Sequence, residues 1–194
     1  MNNNKNNDKN NNKQSNFNVI DEIKKLETKY TLSNTQKILL ATDGSVTTIL
    51  DVLKGTVNIK TLVQEYQKAD ENIAKQLNIE EGEEVNYRVV IIKREDEPLI
   101  YASSYIPLKR VSEEFKEDLI RADIPIGRIL KSHKIESRRE VQATEVKPSN
   151  EELKRIFKTE VELLSRKYNI IHKDNILFSI EETFPIDSFT GDFK

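Results

Sequence analysis

In the run VNYRVVII an arginine, Arg88, stands among residues that otherwise read as a buried strand. Taking a guanidinium out of water is costly unless an anion meets its donors. Three readings follow: half of a salt bridge within the protein, a sheet face that is simply wet, or a bidentate grip on a ligand carboxylate, which suits the planar fork of arginine. A second candidate is the adjacent pair Glu181 and Glu182 in FSIEETFP. Neighbours on a strand point to opposite faces, so one can face a pocket while the other meets solvent or a basic residue. A strand fraying into a polar end gives the same pattern. Arg138 and Arg139, in KIESRREVQA, pose the same question of parity, with a solvated strand edge as the plain alternative. Gly127, two residues after Pro125 in DIPIGRIL, permits a close backbone approach. The N–H groups of a helix opening there suit an anion.

Other chemistries are excluded by what is missing. The chain has no cysteine, which removes disulfides, thiolate nucleophiles and zinc–thiolate sites. Its histidines, His133 and His172, lie in polar surroundings without a neighbouring acidic pattern, so no metal site is expected. There is no glycine-rich phosphate loop, no GxSxG elbow and no HExxH helix, which argues against phosphoryl transfer and covalent hydrolysis. With 31 Lys and Arg against 33 Asp and Glu the net charge is -2, and no basic stripe offers itself to nucleic acid. No segment approaches the roughly 20 apolar residues of a membrane span, and the N-terminus lacks an apolar signal core. The expectation is a cytoplasmic protein without membrane or nucleic-acid partners.

The elements that must position these residues follow from the patterning. Residues 1–16 are an asparagine tract with scattered lysines. They bury too little apolar surface to offset their ordering entropy, and read as a disordered tail ahead of one domain over 17–194. Phe17, Ile20, Ile23 and Leu26 mark a short amphipathic helix. Ser33 with Gln36 is a capping box that opens a second helix. The chain breaks at Asp43-Gly44 and restarts as a helix ending near Gly55. Over 57–67 the pattern changes to period two, a strand. A brief helix around Ile73, Ala74 and Leu77 precedes strands over 84–94 and 99–107, joined by the turn EDEP. Ser112 caps a helix through Phe115 and Leu119, and Pro125 starts another. Residues 135–146 alternate as a long strand, and Ser149 with Glu152 opens a helix through Phe157. The chain closes on a hairpin, VELLSRKYNII and ILFSIEETFP about the turn HKDN. The fold class is α+β, a single domain. About six strands joined as hairpins make a mainly antiparallel sheet, with short helices covering one face.

Four blocks carry a resemblance: DGSVTTIL at 43–50, VNYRVVIIKREDEPLIYASSYIP at 85–107, IPIGRIL at 124–130 and IEETFP at 180–185. Together they resemble the chorismate–pyruvate lyase family, and especially its archaeal-type branch, from Gln36 to Phe189. The second block is the most specific, with an arginine strand, a turn containing Glu97-Pro98 and a strand ending in Ile106-Pro107. The resemblance implies that the arginine holding the aromatic acid falls on Arg88, with backbone contacts at Val46 and Ile126. The family's glutamate falls on Glu181 in a gap-free match, four residues before Pro185. A slip of one residue selects Glu182. An arginine near the ligand in relatives falls on Arg138, with Arg139 as the slipped choice.

The activity so implied is cleavage of chorismate to 4-hydroxybenzoate and pyruvate, with no cofactor, since the ring becomes aromatic. The product would be a precursor of methanopterin or of ubiquinone. The same fold serves the effector-binding domains of GntR-like regulators, which bind small molecules and catalyse nothing. An aromatic-acid sensing module is therefore the rival reading. Such regulators carry a winged helix-turn-helix ahead of this domain. The residues ahead of Gln36, about half of them asparagine tract, cannot house one, and the lyase reading is preferred.

Overall fold

The computed structural model describes residues 17–191 apart from Ala122, so the asparagine tract expected to be a tail lies outside the described residues. The helices are α1 (Val19–Glu27), α2 (Asn34–Ala41), α3 (Val46–Lys54), α4 (Glu71–Leu77), α5 (Glu113–Arg121), α6 (Ile126–Ser132) and α7 (Glu151–Phe157). Their starts are set by side chains. Asn18, Ser33, Ser45, Asp70 and Asn150 each accept from a first-turn N–H that the helix itself leaves unpaired. Ser33 and Gln36 form the capping box read from the sequence. Ser149 does not cap α7. Its hydroxyl turns to the Asn150 carbonyl, and Asn150 accepts from the Leu153 N–H at 2.8 Å. Gly55 ends α3 at a positive φ of 83°, which glycine adopts without strain.

Among the described residues the strand-like runs become six strands: β1 (Asn58–Lys68), β2 (Glu84–Arg94), β3 (Glu97–Pro107), β4 (Arg138–Lys147), β5 (Leu163–His172) and β6 (Asn175–Pro185). β4 starts at Arg138 rather than 135. The Ile135 N–H instead bonds the Leu130 carbonyl in the turn that ends α6, where Lys134 is left-handed. The sheet order is β1-β2-β3-β6-β5-β4, and every neighbouring pair is antiparallel. Two three-stranded meanders thus meet at β3 and β6. The chain passes from β3 to the far edge through α5 and α6. Both edge strands carry a bulge, at Thr61/Val63 and at Val141/Ala143, which discourages pairing with another chain.

One sheet face takes most of the helices. α1, α2 and α3 bury Ile23, Leu39, Leu40 and Leu50 against Val90, Ile92, Leu164 and Phe184. α5 and α6 bury Phe115, Leu119, Ile129 and Leu130 against Ile170, Phe178 and Ile180. On the opposite face α4 packs Leu77 beside Val85 and Tyr105, and Gln76 donates to Ser179 at 2.7 Å. α7 lies against β3 there. Among the described residues no helix is long and apolar enough to cross a membrane.

Candidate active site

Between the two helical groups the helices do not pack directly onto the centre of the front face. A partly open cavity lies there. Its floor is one face of four strands: Arg88, Val90 and Ile92 of β2, Ala102 and Ser104 of β3, Ile180 and Glu182 of β6, and Tyr168 and Ile170 of β5. Arg139 of β4 closes one side. Its roof is the start of α3, at Ser45 and Val46, and the start of α6, at Pro125, Ile126 and Gly127. Arg88, Glu182, Val46, Ile126, Gly127 and Arg139 therefore come together in one place.

Arg88 is 1% exposed. One of its terminal nitrogens donates to the Ile124 carbonyl at 3.2 Å and to the Thr61 hydroxyl at 3.4 Å. Burial pulls its guanidinium below its ordinary pKa, and Asp123 opposes that. Asp123 is itself fixed by the Thr61 N–H at 2.8 Å. The segment joining α5 to α6 is thus tied to β1 and β2 at the cavity wall.

Glu182 is 6% exposed. Its carboxylate accepts from Arg166 Nε at 2.8 Å and from the Tyr168 hydroxyl at 3.0 Å. Burial raises the Tyr168 phenol, and the neighbouring Glu182 charge raises it further. The guanidinium carbon of Arg166 lies 4.6 Å from the Tyr168 ring centroid.

Arg139 donates to the Asp43 carbonyl at 3.4 Å, while its buried Nε has no hydrogen-bond partner among the described residues. A Cβ on Gly127 would stand 3.6 Å from the Ser45 hydroxyl and 3.7 Å from Arg139 Nη2. Those are ordinary contacts, so the close approach expected at Gly127 is to a side chain and leaves room for a methyl group.

Two of the sequence candidates lie elsewhere. Glu181 is on the back of the sheet, bonded to Lys147 and, at 2.7 Å, to the Ser165 hydroxyl. Arg138 turns outward, 56% exposed, to Glu140 at 2.9 Å and Asp174 at 3.4 Å. In both pairs the inward residue is the one in phase with the strand's apolar side: Ile180, Glu182 and Phe184 on β6, Arg139 and Val141 on β4. Arg166 and Tyr168 were not singled out by the sequence reading. They carry the same signal as Arg88, polar residues in phase with Leu164 and Ile170 on a buried strand. His133 meets Asp118 at 2.8 Å and His172 meets the Glu136 carbonyl at 2.7 Å. Among the described residues no group of three His, Asp or Glu is placed to hold a metal.

The fold is shared with regulator domains. The effector domain of PhnF from Mycobacterium smegmatis superposes with a TM-score of 0.65 at 12% identity, covering 75% of this chain and 90% of that one. The C-terminal domain of the histidine utilization repressor from Pseudomonas syringae pv. tomato gives 0.58 at 12% identity, covering 71% and 99%. At such identities the likeness is one of fold. Sequence similarity is more specific. A Methanocaldococcus jannaschii protein named "Putative lyase MJ0807" is 39% identical over 175 residues, 87% of each chain. The sequence pattern of one family runs from residue 40 to residue 190, through every strand and both roof segments of the cavity. The chain belongs to that family, the Rv2949c-like chorismate pyruvate-lyases.

Proposed function

We propose that the protein is a lyase that converts chorismate to 4-hydroxybenzoate and pyruvate in this cavity. The observation that supports it is the charge on a single sheet face: two arginines, Arg88 and Arg139, on separate strands, with one buried carboxylate, Glu182, between the walls. Chorismate presents a ring carboxylate, a ring hydroxyl and an enolpyruvyl ether that bears a second carboxylate. Arg88 takes the ring carboxylate and Arg139 the enolpyruvyl carboxylate, each as a charge-assisted fork. Glu182 meets the ring hydroxyl, and the apolar floor of Val90, Ile92, Ile170 and Ile180 receives the ring.

Cleavage breaks the ether C–O bond at the ring. The hydrogen on the neighbouring ring carbon passes to the enolpyruvyl methylene. The ring becomes an aromatic phenol, and the fragment that leaves is pyruvate. Atoms balance without water, metal or cofactor, so the protein's part is to fix one reactive conformer and to steady the charge on the departing oxygen. The first-turn N–H groups of α3, with Ser45 beside them, form a polar roof suited to that oxygen.

The test is direct. Purified protein incubated with chorismate should release 4-hydroxybenzoate and pyruvate in equal amounts, read by chromatography and by a coupled pyruvate assay. Tight binding of 4-hydroxybenzoate with no turnover would instead make the cavity a sensing site of the kind whose fold it shares.

A further inference from the structure

Behind Glu182, outside the cavity lining, Arg166 is buried to 1% exposure. It stands opposite Glu182 in the β5–β6 register. It is held at two points, with Nε on Glu182 at 2.8 Å and Nη1 on the Thr42 carbonyl at 2.8 Å. We infer that Arg166 positions Glu182 and keeps it an acceptor, so that the substrate's ring hydroxyl donates a hydrogen bond to a carboxylate and receives no proton from it. The inference rests on the lyase reading above and decides the role of its acid.

The geometry supports this in three ways. Each oxygen of Glu182 already accepts a hydrogen bond, Oε2 from Arg166 and Oε1 from Tyr168. A carboxylate oxygen has a second lone pair, so each can accept once more, from the cavity side. Tyr168 remains a donor because burial and the Glu182 charge hold its phenol protonated. Arg166 remains a cation because Glu182 and Tyr168 outweigh the effect of its burial. The other ionisable groups on the cavity with Glu182 are Arg88 of β2 and Arg139 of β4, both cationic, while β3 contributes Ala102 and Ser104. Among the described residues that line the cavity, Glu182 is the one carboxylate. A buried ion pair adds little stability over an apolar pair of equal size, so fold stability alone gives no reason for a guanidinium behind this carboxylate. Its tie to Thr42 also couples the acid to the α2–α3 junction that carries the roof residues Ser45 and Val46.

The experiment compares the wild-type chain with Arg166→Lys, Arg166→Gln and Tyr168→Phe, measuring kcat and KM for chorismate from about pH 5.5 to about pH 9. Without a cation behind it a buried carboxyl takes up a proton nearer neutrality. In Arg166→Gln kcat should therefore fall roughly 10²-fold at the acid end and recover as pH rises. KM should stay within about threefold, because Arg166 does not reach the cavity. Arg166→Lys, which keeps the charge, should stay within about tenfold of wild type and keep its pH profile. Tyr168→Phe removes one donor but leaves the ion pair, so its acid limb should move the same way by less. It also keeps the question answerable if Arg166→Gln does not fold. Equal loss at every pH, a change confined to KM, or unmoved acid limbs in both neutral variants would overturn the positioning role while leaving the lyase reading intact. A wild-type chain that makes no 4-hydroxybenzoate at any pH would overturn both.

Discussion

Glu182 and Glu181 are neighbours in the chain, yet they belong to opposite faces of one sheet and to different kinds of chemistry. On the front, the Glu182 side chain is 8% exposed and is gripped by an arginine anchored at two points. On the back, the Glu181 side chain is 34% exposed and meets Lys147, itself 29% exposed. The flanking cover makes the difference. The front is roofed in part by the starts of α3 and α6, which leave a cavity over buried side chains. The back is covered in part by α4 and α7, with Tyr87, Tyr101 and Tyr105 partly buried on it. A buried ion pair anchored at two points can orient a reacting group, whereas a partly exposed pair is worth little even to stability. The two faces therefore answer differently to the same substitution.

The largest contrast is expected at Arg88. Arg88→Ala should weaken 4-hydroxybenzoate binding by about 2–5 kcal/mol, as for a desolvated ion pair that loses one partner. Arg88→Lys keeps the charge but loses the fork, and should fall between. Calorimetric titration measures both. Near-normal binding together with a lower melting temperature would assign Arg88 to the scaffold, through its bonds to Ile124 and Thr61.

The next contrast is the glutamate pair itself. Glu182→Gln should lower kcat for chorismate roughly 10²-fold, about 3 kcal/mol. Glu181→Gln should leave turnover within about twofold, since such surface changes are nearly neutral. The reverse outcome would move the chemistry to the back of the sheet.

These contrasts also mark what the sequence could and could not disclose. The β2–β3 and β5–β6 hairpins were legible because each joins two strand-like runs across a short charged turn, although a register shift interrupts each ladder, at Ile92/Lys93 and at Ile170/Ile171. Ser33 with Gln36 announced α2. The choice within each charged pair was legible in principle. In SIEETF, Ile180, Glu182 and Phe184 share one parity, and Ser179, Glu181 and Thr183 share the other. Matching to a family pattern without a gap favoured Glu181 and Arg138, and the strand's own period favours Glu182 and Arg139. What could not be read is which faces meet. Bulges at Thr61/Val63 and Val141/Ala143 reset the phase of the edge strands. The roof depends on α3 and α6, far apart in sequence, meeting over the sheet. Arg166 escaped notice because its partner lies 16 residues away and on another strand.

A smaller effect separates the two arginines of β4. Arg139→Ala should raise KM for chorismate by about tenfold, the loss of one charge-assisted contact. Arg138→Ala should change neither KM nor kcat, because its partners Glu140 and Asp174 are on the surface. Equal effects from both would mean that the β4 edge acts through its general charge and not through a residue on the cavity.

The smallest effect is the one that isolates the back of the sheet, where only stability should respond. Burial pushes the Glu181 carboxyl up, but hydrogen bonds from Lys147 and Ser165 and the charges of Lys147 and Lys167 outweigh it, and its pKa lies below the ordinary value. A carboxyl depressed in the folded state stabilises the fold above its unfolded pKa, about 4.3 for glutamate, and loses that contribution as pH falls through the folded value. Solvent reaches both partners, which limits the effect to less than about 1 kcal/mol. Wild type should therefore melt slightly above Glu181→Gln near pH 7, and the two curves should converge as the solution is acidified below about pH 4. Turnover should be the same in both at every pH where the fold persists. A melting difference that persisted in acid would show that the glutamine perturbs packing and not the charge. A turnover difference tracking the same acid range would show that the two faces are coupled through β6, and the division between them would fail.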